Sequence, residues 1–242
     1  MIRSFHRNRA AGVLALALLA AGAASGRVFW QHGGRSHGPT SAGQPGWALA
    51  SSARVRVNGG RGELETLGVS DSVAGAARML DAAYSSAGGV TAAWAGGGAA
   101  WGLAAVGDEV VRWLAVRLSG PRECVVFRLT QSRADARASL GEPPADRFPE
   151  MPAPPDTKPV MFLADDDRGW RLEHARAAGD ADEVREWMAS AMESAGWIPV
   201  TPRDPREAPR LAGYRRGAQT AWVLVGSDPE GGARLLRMVR DE

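Results

Sequence analysis

Hydrophobic positions recur with the period of an amphipathic helix between Asp180 and Ile198. The apolar side chains follow the i, i+3, i+4, i+7, i+8 pattern of a helix with one buried face; they are Val184, Trp187, Met188, Ala191, Met192 and Ala195. Asp180 and Glu183 have the spacing of a capping box, and Gly196 can adopt the left-handed conformation that ends a helix. This stretch therefore predicts a capped helix that packs on a sheet.

The same pattern occurs 108 residues earlier, in residues 72–90, where Ser72 is the candidate N-cap and Gly88 the candidate end. Its stripe consists of Ala76, Met79, Leu80, Ala83, Tyr84 and Ala87. The same offset relates Glu65 to Glu173, and an offset of 109 relates Arg128 to Arg237. These correspondences predict a tandem duplication.

Strands are predicted where apolar and polar residues alternate or where β-branched residues cluster. Residues 54–57 and 63–67 alternate, and residues 109–118 and 123–130 form two apolar runs joined by a four-residue turn, which is typical of a hairpin. Residues 234–240 fit either an amphipathic helix or a strand. Their β-branched and aromatic counterpart at 124–129 favours the strand.

Together these elements predict an α+β fold, a tandem duplication of a β-α-β-β(-β) unit with one helix packed on a small, mainly antiparallel sheet in each repeat. An N-terminal signal or anchor helix precedes them. Seven prolines in residues 131–159 indicate a semi-rigid linker. The predicted segments are a signal peptide or signal anchor (1–26), a flexible tether (27–53), the first repeat (54–132), a proline-rich linker (133–159) and the second repeat (160–242).

The N-terminus has the pattern of an export signal. Three arginines precede residues 10–26, which carry no charge, and Ala23 and Ser25 fit a small-residue cleavage site. The apolar run is marginal as a membrane span, so a cleaved signal and an uncleaved inner-membrane anchor both remain open. Either one places the rest of the chain outside the cytoplasm, in the periplasm or tethered to the inner membrane. No cysteine lies directly after the run, which excludes a lipoprotein anchor.

Composition and charge narrow the class of protein. The 242 residues are 45% hydrophobic and 23% charged, as in a globular protein. A net charge of +2 does not provide a basic surface, so we expect no nucleic-acid partner. Cys124 is the single cysteine and cannot form an internal disulfide.

Candidate chemical groups are few. His174 lies on a predicted strand with no nucleophile or acid in a recognisable arrangement, and its counterpart is Thr66. Residues 165–167 are three aspartates without the glycine and distal glutamate of a calcium loop, so a solvated turn is expected. Residues 96–98 are glycines without the lysine and hydroxyl of a phosphate loop.

The remaining candidates are better explained by packing. Cys124 corresponds to Ala233, which favours a buried, inert thiol, and Met188 and Met192 lie on the helix stripe. His32 and His37 lie in the predicted tether, which cannot fix metal geometry; Trp30 and Trp47 flank them and can dock the tether or lie at a membrane interface. We therefore expect no catalytic residue, cofactor or metal.

The predicted strands in the later part of each repeat are apolar on both faces. Trp113 and Ala115 alternate with Leu114 and Val116, and residues 222–225 repeat this. A strand of this kind is expected to be covered on both sides. The helix covers one side, which leaves the other for the second repeat, a twin subunit or a partner.

These observations lead us to expect a non-catalytic, exported cell-envelope protein that acts as a binding or assembly module through its two repeats. Its partner would be an envelope protein or a second copy, with membrane contact only through an uncleaved N-terminal segment. One alternative is a bitopic inner-membrane component of a secretion or pilus assembly machine, which requires retention of residues 1–26. The other is an envelope hydrolase with a site between the repeats, where His174 would meet Glu173 or Asp165.

Overall fold

The computed structural model describes residues 46–96, 99–117, 122–144, 148–200, 211–228 and 231–241, with the backbone alone at 90–96. The chain divides into two compact units. The first comprises residues up to 55 and residues 60–139; the second comprises residues 56–59 and 140–242. The predicted signal (1–26) lies outside the described residues. The same is true of three residues of the predicted tether, which are Trp30, His32 and His37. No helix in the part of the chain described is long and apolar enough to cross a bilayer.

The elements of the first unit are β1 (Trp47–Val57), β2 (Gly60–Val69), α1 (Val73–Ser86), β3 (Val90–Gly96), β4 (Ala99–Val106), β5 (Glu109–Arg117), β6 (Cys124–Ser132) and α2 (Arg133–Ala138). Those of the second are β7 (Lys158–Asp165), β8 (Trp170–Ala177), α3 (Ala181–Ser194), β9 (Ile198–Pro199), β10 (Leu211–Arg216), β11 (Gln219–Ser227) and β12 (Ala233–Asp241). The last two residues of β1 belong to the second unit.

The strands form one large antiparallel sheet, in the order β3-β4-β5-β6-β2-β1-β7-β8-β12-β11-β10-β9. The structure is 53% strand and 20% helix. The predicted fold class, a tandem duplication of units that each pack one helix on their own small sheet, is therefore wrong. Hydrophobic periodicity identifies strands and helices, but it does not reveal which strands share hydrogen bonds.

The end of β1 and the turn that follows it pair with β7, so the sheet continues beyond β1. Arg56 pairs with Ala164 on β7, and Asn58 extends this pairing from a left-handed conformation (φ 51°). The Asn58 amide donates to the Phe162 carbonyl at 2.8 Å, and the Phe162 amide donates to Asn58 Oδ1 at 2.8 Å. A side chain thus supplies a ladder bond that strand patterning cannot predict.

The helix boundaries follow local sequence, and these predictions are confirmed. Asp180 and Glu183 form a capping box at the start of α3, and Ser72 caps α1 by accepting from the Gly75 amide. Gly88 and Gly196 have φ values of 76° and 81°, respectively. Each follows the C-cap residue of its helix, Ala87 or Ala195, and allows the next amide to bond back into the last turn.

Each unit has a core on the helix side of its strands. In the first, α1 packs against β3, β4, β5 and β6, and Leu80 and Tyr84 join Trp113 and Val126 in one cluster. In the second, Met188 and Met192 of α3 join a cluster whose members include Trp197, Tyr214, Val223 and Leu235. Burial of these methionines confirms that they are packing residues.

Strand β5 is buried on both faces, as predicted: Trp113, Leu114, Ala115 and Val116 are each at most 8% exposed. Helix α2 contacts β2, β5 and β6 and covers part of the sheet face that α1 leaves open in this unit. Strand β11 differs, because Val223 and Val225 are buried while Trp222 and Leu224 are only half-buried. Helix α2 lies inside the predicted linker of 133–159, because six residues make too few turns to display a hydrophobic period.

The predicted tether and linker both contain ordered elements. Strand β1 begins at Trp47, inside the predicted tether of 27–53, and the first strand of the second unit begins at Lys158, inside the predicted linker of 133–159. Residues 90–96, for which the alanine- and glycine-rich sequence predicts no element, form β3. Alanine and glycine carry little strand propensity, so pairing with β4 determines this strand.

Candidate functional site

His174 lies on β8, as predicted, with Met161 and Leu236 opposite it on the neighbouring strands. It is 3% exposed, and neither ring nitrogen has a hydrogen-bond partner among the residues that the structure describes. The hydrolase hypothesis required this ring to meet Glu173 or Asp165. Glu173 instead binds Arg237 at 2.5 Å, and Asp165 accepts from Trp170 Nε1 at 3.1 Å.

The electrostatic environment of His174 favours the neutral ring. Its pKa is lowered to about 4, first by burial and then by the charges of Arg234 and Arg176, against the opposing charges of Asp228 and Glu173. Two arginines converge on Asp228 nearby: Arg176 Nε and Arg234 Nη2 each lie 3.1 Å from one of its carboxylate oxygens. A ring with a pKa of about 4 is a weak base at neutral pH, and this ring has no hydrogen-bond partner among the described residues, so it is not arranged as a general base.

The aspartates at 165–167 are only partly the solvated turn that was expected. Asp165 is 1% exposed and accepts hydrogen bonds from the amides of Asp167 and Arg168 at 3.1 Å each, so it organises the turn between β7 and β8. Asp166 is exposed and pairs with Arg56 at 2.7 Å. Within the described ranges no three His, Cys, Asp or Glu side chains are grouped to hold a metal.

Cys124 is buried in the first core at 1% exposure, as expected. Burial, with a smaller contribution from Asp71, raises the pKa of its thiol to about 11. The thiol therefore remains protonated at neutral pH and is a poor nucleophile. Trp47, at the start of β1, packs against this core.

Of the three glycines at residues 96–98, Gly97 and Gly98 lie outside the described residues.

Sequence reasoning missed a buried ion pair in each unit. Arg128 Nε donates to Glu65 at 2.5 Å in the first unit, and Arg237 Nη2 donates to Glu173 at 2.5 Å in the second. All four residues are at most 4% exposed. In each pair the two residues face each other across adjacent strands, on the side that carries the helix. The signal was present, because both pairs are related by the sequence offsets of 108 and 109 residues.

The surroundings of the two pairs differ. Burial acts to lower the pKa of Arg128, but Tyr84 and the Glu65 carboxylate outweigh it and raise that pKa. Arg237 instead meets backbone: its Nη1 donates to the carbonyl oxygens of Met151 at 3.1 Å and Pro152 at 2.7 Å.

We call residues 148–152 the strap. The Phe148 ring lies 5.2 Å from the Arg237 guanidinium carbon, and Phe148 and Met151 are both buried in the second core. Trp197 Nε1 donates to the Glu150 carbonyl at 3.2 Å, and Arg171 pairs with the Glu150 carboxylate at 2.6 Å. A segment predicted to be a plain linker is thus fastened across the second unit, because its few apolar side chains and its carbonyl groups find buried partners.

The sheet ends at β9 with exposed aliphatic side chains. Ile198 is 69% exposed and Val200 is 54% exposed, whereas the adjacent Trp197 is 2% exposed under the guanidinium of Arg216. We call Ile198 and Val200 the edge pair. The Val200 amide donates to the Gly213 carbonyl at 2.9 Å, which fixes both side chains at the border of the sheet.

No protein-family model and no curated protein sequence matches this chain.

Proposed function

We propose that this chain is a non-catalytic, exported protein of the cell envelope that acts as a binding or assembly module. The observation that carries the proposal is the edge pair. Aliphatic side chains exposed to more than half of their area, held on a sheet border by a backbone hydrogen bond, lose apolar hydration when a partner covers them.

The contact is expected to be made through side chains. Burying Ile198 and Val200 completely would contribute roughly 2 to 4 kcal/mol, using about 25 cal/mol per Å² of apolar area. This is enough to anchor a contact but not to form a complete interface, so neighbouring surface must take part. The partner is another envelope protein or a second copy of the chain.

The proposal includes export through residues 10–26, which follow the arginine-rich N-terminus. A cleaved signal gives a periplasmic protein. Retention gives a bitopic protein of the inner membrane, as a component of a secretion or pilus assembly machine would be. Catalysis is not part of the proposal, because His174 does not reach the carboxylates that the hydrolase alternative needs.

Binding is tested with three affinity-tagged proteins expressed at native level: the unaltered chain, the double variant Ile198→Ser/Val200→Ser, and the control Leu140→Ser. Leu140 is 78% exposed in the same unit but lies away from β9 in the sequence. We expect the first and third proteins to retain the same discrete partner, or to self-associate in size-exclusion chromatography, and the double variant to lose this. Equal behaviour of all three would refute a role for the edge pair.

Export is tested separately, with alkaline phosphatase fused after residue 242 and with the intact mass of the native protein. Alkaline phosphatase is active only outside the cytoplasm, so an inactive fusion contradicts export. The mass shows whether residues 1–26 are retained, which distinguishes the periplasmic form from the bitopic one.

A further inference from the structure

The side of β9 to β12 that faces away from α3 is only partly covered by the residues that the structure describes. Tyr214 and Val223 belong to the core under α3, so the residues beside them in each strand point to the opposite side. On β11 these residues include Trp222 and Leu224, which are only half-buried. Gly226 is the next position on that side, and a Cβ added to it would meet no atom beyond its chain neighbours within 4 Å.

The edge pair lies on the same side. The Val200 amide bonds to Gly213, which points away from α3 because its neighbour Tyr214 belongs to the core. Gly213 pairs with Trp222 on β11, which pairs in turn with Met238 on β12. An apolar row therefore runs inward from the border of the sheet. We call this surface the open face, and it consists of Ile198, Val200, Trp222, Leu224, Gly226 and Met238.

The equivalent face of the first unit is covered by a helix. In each unit one strand, β5 or β11, lies beside the strand that carries the buried arginine, Arg128 or Arg237. Alignment of the two strands on these arginines places Trp222 at the position of Arg112. Arg112 Nη2 donates to the Ala136 carbonyl of α2 at 3.2 Å. In the first unit α2 thus lies over the position that Trp222 occupies in the second.

Burial differs between the two faces. Leu114 is 5% exposed and Val116 is 8% exposed in the first unit. At the equivalent positions of the second unit Leu224 is half-buried and Gly226 has open space above it. Within the described residues no helix follows β12 as α2 follows β6. The second unit therefore presents to other molecules a face of the kind that a short helix covers in the first.

The charges beside the open face are positive. Arg215 and Arg240 are exposed and point to the same side, because their neighbours in β10 and β12 belong to the core. At the other end of this face the Asp228 carboxylate is already bound by Arg176 and Arg234. Two copies placed face to face would bring arginines together, whereas acidic side chains of a different partner would be attracted to them.

We propose that the open face binds a short amphipathic helix of another envelope protein. The apolar side chains of this helix pack over Trp222, Leu224 and the edge pair, and its acidic side chains lie beside Arg215 and Arg240. The helix takes the place that α2 has in the first unit. This inference rests on the proposed function and specifies the chemistry of the partner.

The test selects binders of the purified full chain from a display library of helical peptides of about 14 residues. One face of each peptide carries leucine and alanine, and the other positions are randomised among glutamate, lysine, glutamine and serine. We expect the selected peptides to be acidic. In fluorescence anisotropy they should bind about tenfold or more tightly than versions in which lysine replaces each glutamate, and Arg215→Gln/Arg240→Gln should remove this preference.

Three further variants locate the binding site. Trp222→Ser removes an apolar contact, and Gly226→Glu adds bulk and negative charge where there is open space, so it does not disturb a packed side chain. Each should weaken binding of the selected peptide by about tenfold or more. The matched control is Trp187→Ser, which removes a tryptophan that is 36% exposed on α3 of the same unit and should change the Kd by less than about twofold.

Several results would overturn the inference. Selection of basic peptides, or of none, would show that the face does not recognise an acidic helix, and unchanged binding to Gly226→Glu would place the site elsewhere. Self-association in sedimentation that Gly226→Glu abolishes would show that a second copy covers the face. Binding to phosphatidylglycerol vesicles that the same variant abolishes would show that a membrane surface does.

The inference and the proposed function fail separately. The tagged Gly226→Glu protein is added to the pull-down series that contains Ile198→Ser/Val200→Ser. A native partner that is lost from the double variant but retained by Gly226→Glu would contradict the helix-binding inference and leave the proposed function standing. A partner that both variants retain would contradict the role of the edge pair as well.

Discussion

Acidification should destabilise the second unit through His174. The ring is 3% exposed and its pKa is lowered to about 4 in the folded chain, compared with about 6.5 for an unperturbed histidine. The unfolded chain therefore binds the proton more readily between these two values. The stabilisation is fully present above pH 6.5 and is lost as the pH falls towards 4.

The magnitude follows from the size of the shift. At about 1.36 kcal/mol per pKa unit, protonation linkage at this one site costs about 2 kcal/mol between pH 7 and pH 5, and about 3 kcal/mol by pH 4. Many small domains have a total unfolding free energy of about 5 to 15 kcal/mol, so the effect is measurable. The neighbouring Arg176 and Arg234 make the charged ring less favourable still, while Asp228 and Glu173 oppose them.

The assay is urea unfolding of the unaltered chain and of His174→Leu at pH 7 and pH 5, followed by tryptophan fluorescence. Leucine suits a site between Met161 and Leu236. Carboxylates titrate in both proteins, so the informative quantity is the difference between their pH dependences. We expect His174→Leu to lose about 2 kcal/mol less than the unaltered chain on going to pH 5, with Thr66→Val in the first unit behaving like the unaltered chain. Equal losses in His174→Leu and the unaltered chain would refute the reasoning.

Two further predictions concern buried groups. Arg237→Met removes the guanidinium from the buried Glu173 carboxylate and frees the strap, so it should destabilise the chain by about 3 to 5 kcal/mol in urea unfolding. The double variant Arg237→Met/Glu173→Leu should be less destabilised than Arg237→Met, and additive losses would contradict the buried-pair argument. Burial raises the pKa of the Cys124 thiol from 9.0 to about 11. At pH 8 this thiol should therefore react with a thiol reagent about a hundredfold more slowly in the folded chain than in urea. Equal rates would show that the thiol is accessible and ionised in the folded chain.

Local features of the fold were predictable because they depend on neighbours in sequence. The capping box at Asp180, the cap at Ser72 and the glycines that end both helices were all read correctly, since each involves residues within a few positions of one another. The strand predicted at residues 234–240 is also confirmed, as β12 (Ala233–Asp241).

The sheet was not predictable in the same way. Its continuity depends on Arg56 and Asn58 bonding to β7, more than 100 residues away, and one of those bonds comes from a side chain. When both faces of a strand are covered, its pattern of apolar residues is the same at the edge of a sheet as in the middle. The pattern therefore identified most of the long strands but not their single sheet.

The buried ion pairs were missed for a related reason. Glu65 and Arg128 are charged, and charged residues are usually assigned to solvent. Their burial becomes apparent only when β2 and β6 are placed side by side, so that each charge meets the other. The strap was hidden similarly, since a proline-rich segment has no period and its anchors, Phe148 and Met151, are isolated apolar residues.

Proline at position 199 determines how the border of the sheet can be used. The amide of Val200 points inward to β10, so an amide at position 199 would point outward, and proline has none. An incoming strand cannot receive a donor there, and copies of the chain are hindered from stacking border to border into fibres. Ile198 and Val200 can thus be presented to a partner while open-ended polymerisation is disfavoured.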